Sequence, residues 1–442
     1  MASLNLIVGF DALIQDTSVG VPNFGTIGIV CYHGLSSAVR SYEPSTDGLA
    51  AMIADGFTIN DFAYKAVAQI AEQQPHTKLC KIYRRATPNA QTLTLTPANL
   101  VQGTVYSFKV NGVQATRNNA GSETATTWTT AWQAILSGAG FTAVNVTSTS
   151  NTTFLTLALT SATGRRIYLD ELPSYLTVKD TSVDAGIATA LNTAVADDSD
   201  FYGVIIDGMS EAELNAAAAW CETNKRILHG LTVDSDTLTN STTNIASDFA
   251  AAAYTYSGVF YTRNMSGLWN AALMGRQFGL TPGTNNWENV SLGGVTSDNL
   301  SSSEITNGKV KKLGMYMPFK TPVSSTNATH NISAGSGRFF DMTRDRDWFV
   351  ANAQAGLVAE EIRLEKIPAN QKGLDIHESV VRSWLQQAES NGILDPGWTI
   401  SFPKAASLPT LKNTRRYTAS NAFFAYFQGA INGADISGIF AA

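Results

Sequence analysis

The chain has 442 residues and a mass of 47.2 kDa, long enough for two to four domains. Thirty basic against thirty-six acidic side chains give a net charge of −6, which argues against a dedicated nucleic-acid-binding surface. Only 15% of residues are charged, against about a quarter in an ordinary soluble domain. So weakly charged a surface predicts that part of it is covered in the working state. No apolar run reaches about 18 residues, so no transmembrane helix is expected. The start, Met1 to Gly9, lacks a basic n-region and a cleavage pattern, so no signal peptide is expected. Cys31, Cys80 and Cys221 are scattered and odd in number, which fits three buried thiols in a reducing compartment better than a disulfide framework. Triplets such as those at Asn145, Asn151 and Asn240 then read as chance in a Ser/Thr/Asn-rich chain.

Leu4, Leu6, Val8 and Phe10 alternate along a terminal strand, broken by Gly20-Val-Pro22. A buried strand follows over Gly25–Cys31. Asp61 opens a helix with Phe62, Ala66, Val67 and Ile70 on one face, and Pro75 ends it. Lys78–Arg84 reads as the next strand, completing a β-α-β opening. From Thr92 the pattern changes. Thr92–Thr96 alternates, and Val105–Val110 runs into Asn111-Gly112, a hairpin signal. One helix carries Trp128, Trp132, Ile135 and Leu136. Strands are expected at Ala143–Ser148, Phe154–Leu159 and Arg166–Leu169. Between Ala86 and Gly164 only Lys109, Arg117 and Glu123 are charged.

Strand–helix alternation then returns. Helices are expected over Ala185–Val195, from a Ser210/Glu213 capping box to Asn224, over Ala246–Tyr256 and over Leu268–Phe278. They alternate with strands at Phe201–Ile206, Ile227–Val233 and Val259–Thr262. This grammar predicts a mostly parallel sheet covered by helices. Thr281–Ser336 reads as loop-rich. Helices follow over Asp341–Glu365 and Ile376–Asn391, then strands over Trp398–Phe402 and Asn421–Gln428. A Gly-punctuated apolar tail closes the chain. The fold class is therefore an α/β core with an inserted β-rich domain, an α+β C-terminal domain and β-prone terminal arms. The boundaries are an arm at 1–20, a core of 21–85 plus 180–336, an insertion at 86–179, a C-terminal domain at 337–428 and an arm at 429–442.

No nucleotide-binding loop, dinucleotide fingerprint, nucleophile elbow or zinc-helix motif is present. The histidines show no metal-ligand spacing, so neither a metal nor a cofactor is expected. Asp207 and Asp234, with His229 nearby, stand past parallel strands where ligands bind in open α/β sheets. Turn and cap chemistry explains them better, so no enzyme activity is assigned. Arg344-Asp345-Arg346-Asp347 is the densest charge cluster, and local pairing and contact with a neighbouring subunit both remain open for it. The Arg415-Arg416 pair carries the same two readings.

The stretches FDALIQDTSVGVPNFGTIGIV (10–30) and DGFTINDFAYKAVAQIAEQQPHTKLCKIYRR (55–85) are followed by a β-rich segment containing YSFKVNG (106–112). An α/β core, charged helices and an apolar tail come after. In this order the whole chain resembles the contractile phage tail sheath family. Tyr83-Arg-Arg85 stands where that family often has a Gly-Arg pair, so the glycine is missing. No single motif is diagnostic. The resemblance implies a non-enzymatic subunit that stacks as six-fold rings in a helical lattice around a tail tube. Its partners would be other copies, the tube protein, and baseplate and tail terminator proteins, with no nucleic acid and no membrane insertion. It would be assembled in a host cytoplasm into the tail of a virion. The strand arms would carry Leu4, Leu6, Val8, Phe10, Ile431, Ile436, Ile439 and Phe440 to neighbouring subunits. Interface charges would be Arg344, Arg346, Arg382, Lys404, Arg415 and Arg416. The alternatives are a soluble α/β enzyme with a glycan-binding-like β insertion, which needs a polar pocket, and a surface-layer protein, which needs an export signal.

Overall fold

The structure is a computed structural model that describes residues 23–35, 39–87, 90–142, 146–159, 166–320 and 324–432. The proposed arm residues Leu4, Leu6, Val8, Phe10, Ile436, Ile439 and Phe440 lie outside these. The chain divides into two compact units. Among the described residues, one holds 23–280 and 290–340, and the other holds 281–289 and 341–432.

In the first unit, β1 (Thr26–Tyr32), β2 (Val39–Tyr42) and β3 (Leu79–Arg85) come early, with helices α1 (Thr46–Ala54) and α2 (Phe62–Ala71) before β3. A β-rich stretch then carries β4 (Thr92–Pro97), β5 (Val105–Val110), β6 (Val113–Asn118), α3 (Ala125–Leu136), α4 (Ala139–Thr142), β7 (Val146–Ser150), β8 (Leu155–Leu159), β9 (Leu169–Asp170) and β10 (Leu176–Asp180). Alternation resumes with α5 (Ile187–Asp197), β11 (Gly203–Ile206), α6 (Glu211–Asn224), β12 (Ile227–Thr232), α7 (Ile245–Ala252), β13 (Ser257–Tyr261) and α8 (Trp269–Phe278). It ends in α9 (Ser302–Val310), β14 (Met315–Lys320) and β15 (Ser325–His330).

Six strands form the main sheet in the order β13-β12-β11-β1-β3-β2. All neighbours are parallel except β2, which runs antiparallel on the edge. Both faces are covered, as a parallel sheet requires. Val30, Val204, Leu228 and Val259 pack with α5, α6 and α7. On the other face Gly203 lies against Met274 and Phe278 of α8, where a Cβ would meet the Phe278 ring at 2.7 Å. Glycine lets α8 approach this closely.

The β-rich stretch makes two further sheets, β10-β4-β8-β7 and β6-β5-β9. The Asn111-Gly112 signal is a tight turn: both residues have positive φ, 49° and 81°, and Val110 pairs with Val113. Helix α3 starts on a Thr124 capping box and buries Trp128 and Trp132 completely. Trp132 stacks on Phe108 at 4.8 Å and Trp128 meets Tyr106 edge-on at 5.1 Å. A large aromatic core thus holds this stretch, alongside ion pairs such as Lys109–Glu171, Arg117–Glu123 and Arg166–Asp180.

The loop-rich reading of Thr281–Ser336 needs correction. This span contains α9 and the hairpin β14–β15. Ser301 and Glu304 form a full capping box at the start of α9, a signal that was legible. The hairpin shows no apolar alternation because β15 is polar and half exposed. Strand β2 and helix α1 also went unpredicted. Strand β9 is shorter than expected, with Arg166 to Tyr168 outside it.

The second unit is built on α10 (Phe340–Arg363, from Asp341 on) and α11 (Gln371–Ser390). Phe349, Ala353, Leu357, Val381, Leu385 and Ala388 make its core. Strands β16 (Thr399–Ile400) and β17 (Phe423–Phe424) flank the short helix α12 (Leu411–Thr414) and pair antiparallel. Beyond a turn at Pro396-Gly397, Leu394 and Phe427 form an isolated antiparallel bridge.

Candidate interaction surface and buried ionic sites

In the second unit, residues 423–428 alternate between half-buried and exposed. Phe423, Ala425 and Phe427 pack onto the α10–α11 core, while Phe424 and Tyr426 face outward. Phe424 is 58% exposed and Tyr426 68%, and their rings meet edge-on at 4.9 Å. Ile431, one of the proposed arm residues, is 90% exposed. Among the described residues the sheet beneath them has two strands. The adjoining sequence is basic. From Pro396 to Asn432 there are four basic side chains, Lys404, Lys412, Arg415 and Arg416, and no acidic one. All four are exposed. Arg415 has positive φ, 54°, and closes α12. A chain of net charge −6 thus carries a local surplus of +4 beside exposed aromatic rings.

The other sequence candidates lie differently. Arg344 is 2% exposed, so its charge is turned inward. Arg346 is half-buried and pairs with Asp347 at 3.0 Å. Arg382 is exposed and pairs with Glu378 one turn earlier at 2.6 Å. The structure thus groups Lys404, Arg415 and Arg416 on one acid-free stretch, with Lys412 in addition. Lys412 was missed because it was read singly, and the absence of acids across the segment was the available signal.

The C-terminal ends of the central strands of the first unit carry a buried ionic cluster. Arg85, at the end of β3, donates to Asp207 past β11 and to Glu213 on α6, the latter at 3.0 Å. Asp207 also accepts from the Tyr32 N–H at 3.0 Å. Arg85 is 1% exposed and Glu213 fully buried. Burial works against the guanidinium charge, but Asp207 and Glu213 outweigh it and hold the Arg85 pKa above its ordinary value. Arg166 faces Asp180 beside them at 3.6 Å. Ser210 caps α6 by accepting from the Glu213 N–H, and its own hydroxyl donates to the Glu213 carboxylate.

Asp207 is thereby a structural counter-ion to Arg85. Asp234 caps a short 3-10 helix by accepting from the Asp236 N–H. Burial pushes its pKa up to about 6. His229 is fully buried under Phe260 and Phe340, and burial lowers its pKa to about 3. Each of the three is engaged with its own neighbours: Asp207 with Tyr32 and Arg85, Asp234 with Asp236, and His229 with Asn270. The cysteines are buried thiols, and burial raises the pKa of each. Among the described residues no cluster of three or more His, Cys, Asp or Glu could hold a metal, and no helix is long and apolar enough to cross a membrane.

No family model matches the chain, and no curated protein matches its sequence. Among solved structures it is similar to the sheath tail protein Lin1278 from Listeria innocua, with 11% identity over 87% of this chain and 90% of that chain and a TM-score of 0.45. It is similar to a chain of the PVC sheath complex, from an extracellular contractile injection system in the contracted state, with 10% identity over 96% and 95% and a TM-score of 0.46. A chain of the anti-feeding prophage baseplate gives 12% identity over 58% and 73% and a TM-score of 0.41.

Proposed function

We propose that the chain is a structural subunit of a contractile tail sheath. In this reading it polymerises as stacked hexameric rings around a tail tube and contracts to drive the tube through a host envelope. The observation that carries the reading is the surface of the second unit. A single chain has no use for Phe424, Tyr426 and Ile431 exposed together beside a basic stretch whose own sequence holds no acidic side chain. Such a face fits a partner with apolar pockets and acidic rims. The order of elements along the whole chain, which resembles that of sheath proteins, supplies the kind of partner: further copies and a tube. The rings would connect to baseplate and tail terminator proteins, and the assembly would belong to a tail outside the host cell.

Contraction in this reading is a change between two packings of one subunit, driven by the stability difference between them. Terminal strands stay paired to neighbours while interfaces between the bodies exchange. Strand pairing suits this role because backbone hydrogen bonds tolerate any side chain. The test is electron microscopy of the purified chain over a concentration and salt series. Hollow cylinders with a helical lattice are expected. A monodisperse monomer under every condition would overturn the reading.

A further inference from the structure

Three segments of the second unit meet at a cavity of about 160 Å3. The loop Gly283–Asn286 forms one wall, Asp341 and Asp345 on α10 another, and the turn Gly392-Ile393 a third. Phe427, Gly429 and Ala430 close it, so the root of the C-terminal segment is part of the cavity wall. Hydrogen bonds to the neighbouring segments hold that root. The Gln428 N–H donates to the Ile393 carbonyl at 3.0 Å, and the Asn286 side-chain amide donates to Asn432 at 2.6 Å.

Asp341 and Asp345 are one helical turn apart on the same face of α10, so their carboxyls are neighbours. Asp345 is 8% exposed. It accepts from the Gly283 backbone and feels Arg344 of its own helix, while Asp341 repels it. Asp341 accepts from the Met342 N–H at 2.7 Å and is itself repelled by Glu288 of the facing loop. Arg344 is a basic side chain that acts on Asp345. Residues 1–22 and 433–442 contain no Lys or Arg.

We propose that this acid pair is a proton-controlled latch for the C-terminal segment: the segment root is seated over the cavity when the pair is protonated and is released when the pair ionises. Two carboxylates that ionise in one poorly solvated cavity repel each other and seek water. Lifting Gly429–Asn432 away admits water and lets both ionise. Asp345 supports the sign. Burial, with Asp341 adding to it, raises its pKa to about 7. Burial raises Asp341 as well. Groups whose pKa is higher in the seated state favour that state fully at low pH. The advantage is lost as pH rises from the ordinary carboxyl range, near ~4, through about 7, and it levels off above that. One such group lowers the seating constant by about tenfold per pH unit across that window.

The experiment is hydrogen exchange on the isolated 442-residue chain, so its outcome does not depend on whether the chain assembles. Protection of the Gln428 amide, corrected for intrinsic exchange, is followed between roughly pH 5 and pH 8. A loss of protection of about 100-fold is expected in the native chain. D345N should flatten most of that dependence, and D341N a smaller part. D298N is the control, because Asp298 is another buried carboxyl, also raised to about 7, but in the first unit. It should leave the Gln428 profile unchanged. A pH-independent Gln428 amide, or an unaltered profile in D345N, would overturn the latch. So would a profile flattened equally by D298N, which would mark a whole-chain transition.

Discussion

Arg85 shows how one side chain ties three elements together. It reaches from the end of β3 to Asp207 beyond β11 and to Glu213 on α6, all inside the protein. Replacing it with alanine takes the buried counter-ion from Asp207 and weakens the positive field on Glu213, which Arg166 also supplies. Arg85→Ala is expected to cost about 3–5 kcal/mol in chemical denaturation, because a broken buried pair leaves an uncompensated charge. Loss below about 1 kcal/mol would mean that water already solvates the cluster. The exposed basic residues behave differently. Lys404→Glu, Arg415→Glu and Arg416→Glu together should leave folding within about 0.5 kcal/mol per site and weaken assembly. The defect should shrink as salt rises from about 0.1 M to about 1 M, where the screening length falls to about 3 Å. Assembly indistinguishable from the native chain at every salt concentration would remove these residues from the interface. Reversal at Arg344 would instead report on packing, since that side chain is buried.

At the scale of elements, the ends of the chain matter most. Leu4–Phe10 is seven residues long and, extended, spans about 23–25 Å. A lone strand leaves its N–H and C=O groups unpaired and needs a sheet to join. The two-stranded β16–β17 ladder is too small to be stable without the α10–α11 core behind it. Both features fit strand addition between chains, which we propose for the termini. Deleting Met1–Phe10, or Gly429–Ala442, should leave a soluble folded monomer by circular dichroism that forms no cylinders by microscopy. Normal cylinders from both truncations would sink the arm proposal. Glycine at 283 serves the second unit in another way. Its φ is +86° and a Cβ there would lie 2.6 Å from the Asn391 carbonyl oxygen, so the turn admits no larger residue without moving.

At the scale of the whole molecule, charge is distributed by region. The β-rich stretch satisfies its polar groups with Thr, Ser and Gln hydroxyls and amides, as where Thr129 donates to the Asn151 carbonyl and Ser150 to Gln133. Its core is aromatic, so it needs few charges for folding. We propose that residues 86–179 form a domain that projects outward and is dispensable for the core. Several bonds cross from this stretch to the rest of the first unit, including Leu172 N–H to the Arg263 carbonyl and Val178 N–H to Ser235. Replacing 86–179 by a short linker should therefore lower stability while retaining the far-ultraviolet signature of the α/β core. A chain unfolded by that excision would show that the core depends on the stretch.

Much of the fold was legible because its elements obey simple periods. The buried runs of β1, β3, β11, β12 and β13, the Asn111-Gly112 turn and the Trp128/Trp132 stripe follow from burial geometry alone. Elements with little buried surface were not legible. Strand β2 is a four-residue edge strand, and β14–β15 contains Pro318 and polar alternation. The candidate surface was half legible: a strand through Phe423 and Phe424 and three of its basic neighbours were read, but the strand is two residues long rather than the expected 421–428, and nothing in a one-dimensional pattern says which of Phe423 and Phe424 faces solvent. Register against the α10–α11 core decides that, because side chains alternate faces every residue. Likewise, sequence by itself determined that Arg85, Asp207 and Glu213 sit near element ends, since strand and cap patterns are local. Only the tertiary structure decided that they form one buried cluster, and that Asp341 and Asp345 share a cavity with Gly429. Those groupings join residues distant in the chain, and it is packing, with the loss of water it imposes, that turns ordinary acids into coupled ones.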